Sequence, residues 1–192
     1  YFGRVNYTFD DRYVITATIR RDGSSLFKDG LRWGNFPSGA IAWNLSNEPF
    51  MESFDALSNI KIRGGYGEVG SNNVQVYTTD PVLNLFSEYV VGGQRVNGYA
   101  ITNSVNPFIT WETTKTTNVG LEFNALDNRF SVTMDYFIKE TEDILVATPL
   151  TFTTGTGNAV PANRGSIENK GFEFLASYRD QIGDVNFSAS VN

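Results

Sequence analysis

The stretch Asn118-Val119-Gly120-Leu121-Glu122-Phe123-Asn124-Ala125 places its apolar side chains at odd positions and its polar or glycine residues at even ones. Successive side chains of an extended chain point to opposite faces, so this segment reads as a strand with one apolar and one polar surface. The rhythm continues in both directions. Downstream, Phe130, Val132, Met134, Tyr136 and Ile138 of 130–139 oppose Ser131, Thr133, Asp135 and Lys139. Segment 172–178 aligns Phe172, Phe174, Ala176 and Tyr178, and 185–192 aligns Val185, Phe187, Ala189 and Val191. Upstream, 1–9, 12–20, 39–45 and 60–66 alternate in the same way, through pairs such as Val5 and Tyr7, Ile15 and Ala17, Ile41 and Trp43, Ile60 and Ile62. Eight amphipathic strands are expected. Only Pro49 to Leu57, with Phe50, Phe54 and Leu57 at helical spacing, predicts one or two helical turns.

The connections between these strands alternate in length. Asp10-Asp11, Leu126-Asp127-Asn128 and 180–184 are short and 46–58 is compact, whereas 22–36, 67–114 and 147–166 are long; 67–114 has room for its own hairpin around 82–101. In an up-and-down sheet every second connection lies at the same end, which gathers the long loops on one rim. Outer-membrane barrels have that asymmetry, with short periplasmic turns and longer extracellular loops. Phe9, Tyr13, Phe123, Phe130, Tyr178 and Phe187 cluster near the short turns, and Tyr1, Phe36, Tyr66, Trp111 and Tyr136 toward the long loops. Two aromatic bands flanking an aliphatic middle match the two bilayer interfaces. A soluble antiparallel sheet with a Phe- and Tyr-rich core is the competing reading.

Composition narrows the chemistry. The 192 residues contain no His and no Cys, 15 Lys plus Arg, 21 Asp plus Glu and 27 aromatics. Without Cys or His there is no thiol nucleophile, thiolate zinc site, imidazole ligand or Ser-His-Asp triad. A net charge of −6 argues against nucleic acid as a partner, because that affinity comes from cations neutralising phosphates. No run approaches the ~18 apolar residues of a membrane helix, and no signal peptide opens the chain. The mean hydropathy of −0.24 fits an alternating wall averaged over both faces and polar loops. A first residue of Tyr1 rather than Met suggests a piece of a longer protein.

The local motifs read as structure rather than chemistry. Gly65-Tyr66-Gly67-Glu68-Val69-Gly70 has dinucleotide-site spacing but leads into Ser71-Asn72-Asn73, where no helix begins. Asp22-Gly23-Ser24-Ser25 with Asp29-Gly30 lacks the ligand order of a calcium loop and suits turns. Glu140, Glu142 and Asp143 form an acidic cluster at a strand end, better read as solvated than as a glycosidase pair. No catalytic, metal or cofactor-binding set is expected, and the protein is read as no enzyme. The functional surface that remains is polar: Arg4, Arg12, Arg20, Lys61, Arg63, Glu122, Asp135, Lys139 and Glu173 are expected to line one lumen. Weak candidates for ligand contact are the loop aromatics Tyr77, Phe86, Tyr89 and Tyr99, which suit sugar stacking or peptide packing and equally suit holding the loop together.

Taken in order, one set of motifs resembles a known family. It runs from Tyr1-Phe2-Gly3-Arg4-Val5-Asn6-Tyr7 through Asp11-Arg12-Tyr13, Arg20-Arg21-Asp22-Gly23-Ser24-Ser25, Arg32-Trp33-Gly34, Phe36-Pro37-Ser38 and Trp43. It continues with Asn47-Glu48-Pro49-Phe50, Leu57-Ser58-Asn59-Ile60-Lys61-Ile62-Arg63, Asn106-Pro107, Trp111-Glu112-Thr113-Thr114 and Asn118-Val119-Gly120-Leu121. Asp135-Tyr136-Phe137 and Ile167-Glu168-Asn169-Lys170-Gly171-Phe172-Glu173 complete it. Together they are similar to the SusC/RagA-like TonB-dependent outer-membrane transporters of Bacteroidota, across nearly the whole chain, with 67–105 and 147–163 departing most.

The resemblance implies an all-β fold: an antiparallel up-and-down transmembrane segment, with residues 1–192 supplying about eight strands from the C-terminal half of a larger, 22-stranded barrel. The plug and N-terminal domains are expected to lie outside this chain. It further implies residence in the outer membrane, contact with its lipid, a SusD-like surface lipoprotein partner, energy from the TonB complex, and import of glycans or peptides. The alternatives are a siderophore or cobalamin receptor on the same fold, a small complete eight-stranded barrel acting as anchor or adhesin, a soluble β-sandwich, and an outer-membrane hydrolase, which the lack of His disfavours.

Overall fold

The computed structural model describes residues 1–51, 57–101, 103–151, 153 and 159–192. Within them the alternating segments become β1 (Phe2–Phe9), β2 (Tyr13–Gly23), β3 (Trp33–Asn44), β4 (Leu57–Ser71), β5 (Leu83–Val91), β6 (Gln94–Ile101), β7 (Glu112–Ala125), β8 (Phe130–Thr148), β9 (Val160–Ile182) and β10 (Val185–Val191). Eight of them form one antiparallel sheet in the order β1-β2-β3-β4-β7-β8-β9-β10, while β5 and β6 make a separate hairpin. That hairpin falls inside the 82–101 window expected from the sequence. The short connections are built for tight reversal. Asp10 and Asp11 both take positive φ (54° and 52°), as do Gly92 and Gly93 in the hairpin (58° and 80°), the conformation of turns that match strand twist.

Between the irregularities at Leu57/Asn59 of β4 and at 141–145 of β8, register carries the two faces across the sheet. One row runs Ile15, Ile41, Gly64, Val119, Tyr136 and Phe172, and the neighbouring polar row runs Ala42, Arg63, Gly120, Asp135 and Glu173. The apolar face is bare: Val5 is 68% exposed, Ile41 64% and Phe172 64%. Among the described residues no second sheet covers it, so the sandwich alternative does not form. Nor does a closed eight-stranded barrel, since β1 and β10 are opposite edges of the sheet.

Aromatic pairs mark both margins of the apolar band. Phe9, Tyr13 and Trp43 stack in succession at the short-turn end, with centroid distances of 6.5 and 6.1 Å, and Phe123–Phe130 and Tyr178–Phe187 continue that margin. Tyr1 stacks on Trp33 at the opposite end, 6.1 Å apart, with the Arg21 guanidinium over the indole. Trp33 and Trp43 share a face of β3 and are ten residues apart. At ~3.3 Å per residue and a tilt of ~40° the separation is ~25 Å of height, the thickness of a barrel's apolar band.

The structure corrects four expectations. Phe36 and Trp111 do not belong to the upper aromatic band: Phe36 lies opposite Arg20 on the polar side of the sheet, and both rings are buried in a loop core. Of the 49–57 stretch expected to turn helically, Pro49–Met51 is a 3₁₀ turn, preceded by another at Leu45–Asn47, and Leu57 already belongs to β4; 52–56, Phe54 included, lie outside the described residues. Several strands run well past the alternating segments, β8 to 19 residues and β9 to 23, because backbone pairing continues beyond the apolar band, where apolar alternation stops. Arg12, finally, stands at the turn rather than along the wall.

That turn holds a compact node. Glu48 is 7% exposed, and its carboxylate accepts hydrogen bonds from Tyr13 Oη (2.6 Å), Trp43 Nε1 (2.8 Å) and Arg12 Nη1 (3.1 Å). Arg12 also pairs with Asp10. Three donors, Tyr13 first, hold the Glu48 carboxyl below its ordinary pKa. One carboxylate thereby ties the first 3₁₀ turns to the rings of the lower girdle.

Candidate functional site

Register brings Arg4, Arg20, Lys61, Arg63, Glu122, Asp135, Lys139 and Glu173 onto the polar face. At its centre Arg63 Nη2 meets Asp135 Oδ2 at 2.6 Å, and its Nε lies 3.3 Å from Glu122 Oε1 without a hydrogen-bonding angle. Gly120 makes this crossing possible, since a Cβ there would collide with Asp135 Oδ1 and lie 2.6 Å from Arg63 Nε. Asp135 and Glu173 are directly opposed across β8 and β9. Arg63 neutralises the first; among the described residues Lys61, Lys139 and Glu173 enter no ion pair. The wall therefore presents charges of both signs to whatever lies in front of it.

Beyond the apolar band, at the long-loop end, the loops are knitted into a scaffold. Phe27, Phe36, Ile109 and Trp111 bury one another, with Leu31, Val74 and Leu145 packed around them. Trp111 lies 5.3 Å from Phe27 and 5.5 Å from Phe36, ring centre to ring centre, and its Nε1 donates to Arg32 O at 3.3 Å. Asparagines then join loops distant in sequence: Asn72 to Ser24 Oγ, Asn106 to Pro161 O, and Asn163 to both Thr110 and Asp143. Lys28 pairs with Asp80, which lowers the pKa of that carboxyl. Side-chain amides both donate and accept, so one asparagine can replace two missing ladder bonds. In the sequence these asparagines were indistinguishable from ordinary loop residues; the nearest available signal was Asn-Pro at 106–107.

Of the four loop aromatics, the three with described side chains, Tyr77, Tyr89 and Tyr99, are not assembled into one platform. Tyr77 follows β4 with φ of 65° and is exposed. Tyr89 pairs with Val96 and lies over Gly98, whereas Tyr99 falls on the opposite face of the hairpin with Asn97 and Arg95. Phe86 belongs to β5, and its side chain lies outside the described residues. The remaining motifs resolve into wall and turn chemistry. Gly65 to Gly70 lies within β4 with no helix after it. Asp22 pairs with Arg20 at 2.8 Å and Asp29 with Arg32 at 3.0 Å. Glu140 and Glu142 are on the outer face of β8, Glu142 paired with Lys115, and Asp143 occupies the irregularity that follows with φ of 56°. Among the described residues no group of His, Cys, Asp and Glu is placed to hold a metal ion.

This geometry has clear counterparts. The family model described as "TonB dependent receptor-like, beta-barrel" matches residues 1–192. TonB-dependent receptor P3 of Formosa agariphila is 40% identical over 193 aligned residues, which cover 100% of this chain and 19% of that protein. TonB-dependent receptor SusC of Bacteroides thetaiotaomicron is 35% identical over 196, covering 100% and 20%. The solved structure of the RagAB peptide importer in its open-open state aligns with a TM-score of 0.87 at 28% identity, covering 98% of this chain and 20% of that one. The chain spans about a fifth of the length of the relatives it matches.

Proposed function

The chain belongs to the TonB-dependent receptor-like β-barrel family, and on that premise we propose that it forms part of the wall of an outer-membrane transporter importing oligosaccharides or oligopeptides. A SusD-like surface lipoprotein would receive the substrate with it, and TonB would supply energy through parts of the protein beyond this wall. The observation that carries this reading is likeness along the whole chain to SusC and to the RagAB peptide importer. The architecture agrees with it. An apolar band ~25 Å high faces lipid, a polar wall of mixed charge faces the interior, and a knitted loop scaffold crowns the outer rim. Transport of this kind needs binding and gated passage and no bond chemistry.

The test is genetic and biochemical. Deleting the full-length gene should abolish growth and labelled-substrate uptake on one class of glycan or peptide, with the wild-type gene restoring both. The protein purified from outer membranes should bring a surface lipoprotein with it. Loss confined to ferric siderophore or cobalamin uptake would overturn the substrate assignment.

A further inference from the structure

On the polar wall, crowding by a neighbour accounts for the glycines. A Cβ at Gly120 would strike Asp135, one at Gly65 would lie 2.8 Å from Asn118 Oδ1, and one at Gly171 would lie 2.9 Å from the Phe137 ring. Gly39 and Gly64 on the apolar wall are different. A Cβ at Gly39 would come no closer than 3.6 Å to Thr16 O, and one at Gly64 no closer than 3.9 Å to Ile41 Cγ1 and Asn118 O. Neither has a positive φ. Glycine inside a strand weakens it and often marks a place where something else approaches closely. Nothing among the described residues requires these two side chains to be missing.

Their absence opens a groove. Gly64 sits in its row between Ile41 and Val119, and Gly39 lies one row nearer the long loops beside Ala17. An apolar depression of about 410 Å³ borders Gly64, with the stacked Tyr13 and Trp43 at its short-turn end. A second, of about 370 Å³, continues it past Gly39 to Tyr66. From the Tyr13 row to the Ala17 row the groove runs four residues, ~13 Å. It lies wholly between the aromatic girdles and is continuous with the lipid-facing wall, where the covering medium is hydrocarbon.

We propose that Gly39 and Gly64 floor a binding site for one acyl chain of a phospholipid, entering from the leaflet on the short-turn side where Tyr13 and Trp43 mark the interface. The site rests on the barrel geometry and stands whatever solute the transporter carries. The test is native mass spectrometry of the full-length protein, stripped of lipid in detergent and titrated with dioleoyl phosphatidylethanolamine. Wild type should retain one lipid per barrel. Gly39→Val/Gly64→Val should retain at least about tenfold less, since the added groups displace buried methylenes. Gly3→Val, at an uncrowded apolar-face glycine outside the groove, should behave as wild type. Heat-modifiable gel migration reports folding; if the valine pair fails it, Gly39→Ala/Gly64→Ala replaces it, with an expected loss of about fourfold. Equal retention by a folded groove-filled variant would overturn the proposal. So would a second polypeptide, another copy included, crosslinking at Ile41 in place of lipid.

Discussion

Asn163 and Thr110 are joined by a two-way hydrogen bond. The Thr110 N–H donates to Asn163 Oδ1 and Asn163 Nδ2 donates to Thr110 O, each at 3.0 Å, and Nδ2 also reaches Asp143 O at 2.7 Å. One side chain thus fastens the segment entering β7 to the irregularity in β8. Asn163→Leu keeps the bulk and removes all three bonds. It should loosen the scaffold by about 1–3 kcal/mol, the cost of leaving such groups unpaired. Hydrogen exchange of the full-length protein should show faster exchange in 106–111 and 143–148 and none in the membrane part of β8.

Gly70 sits where the Phe36 ring needs space, and a Cβ there would land against the ring's tip. Gly70→Ala should displace Phe36, disturb its contact with Trp111, and destabilise the rim by about 1–3 kcal/mol as overpacking does. Gly39→Ala, whose nearest contact is 3.6 Å, should leave rim stability unchanged. Limited proteolysis of the outer loops in the full-length protein reads the difference.

The Arg63–Asp135 pair is partly screened, its side chains being 35% and 18% exposed. A double-mutant cycle with Arg63→Met and Asp135→Asn should therefore give a coupling of about 1 kcal/mol, nearer the value for surface pairs than for buried ones. A coupling indistinguishable from zero would show that the polar wall does not rely on this crossing.

Glu48 gives a pH dependence of known sign. Its pKa is lowered in the folded state from the ordinary 4.5. Its stabilising effect is therefore fully present above pH 4.5 and lost as pH falls through the lower folded value. Thermal unfolding of the full-length protein in detergent should show an acid-side loss in wild type that Glu48→Gln lacks over the same window.

The membrane part of the fold was legible in the sequence because lipid on one side and water on the other impose strict alternation. Val119, Leu121 and Phe123 against Asn118, Gly120 and Glu122 suffice to set a face, and the neighbouring strands follow. Above the membrane that constraint lapses: Glu140-Thr141-Glu142-Asp143 in β8 carries no alternation, yet pairing continues to Thr148. Phe36 and Trp111 were misplaced for a related reason. Their counts and positions suit a girdle, and only strand parity together with long-range packing on Phe27 reveals a core. The polar wall was read correctly for Arg63 and Asp135, whose parity is local. It failed for Arg12, whose position depends on Glu48, 36 residues away. Asn163 was out of reach entirely, since its partners come from two other loops.

The central claim is that alternate residues of one strand face lipid and water. Single cysteines placed in turn from Ser131 to Ile138 of the full-length protein, spin-labelled and reconstituted in bilayers, test it through collision with oxygen and with a water-soluble nickel reagent. Val132, Met134, Tyr136 and Ile138 should be accessible chiefly to oxygen, and Ser131, Thr133, Asp135 and Phe137 relatively more to nickel or sheltered from both. Equal nickel accessibility at all eight positions, with no two-residue period, would contradict the account.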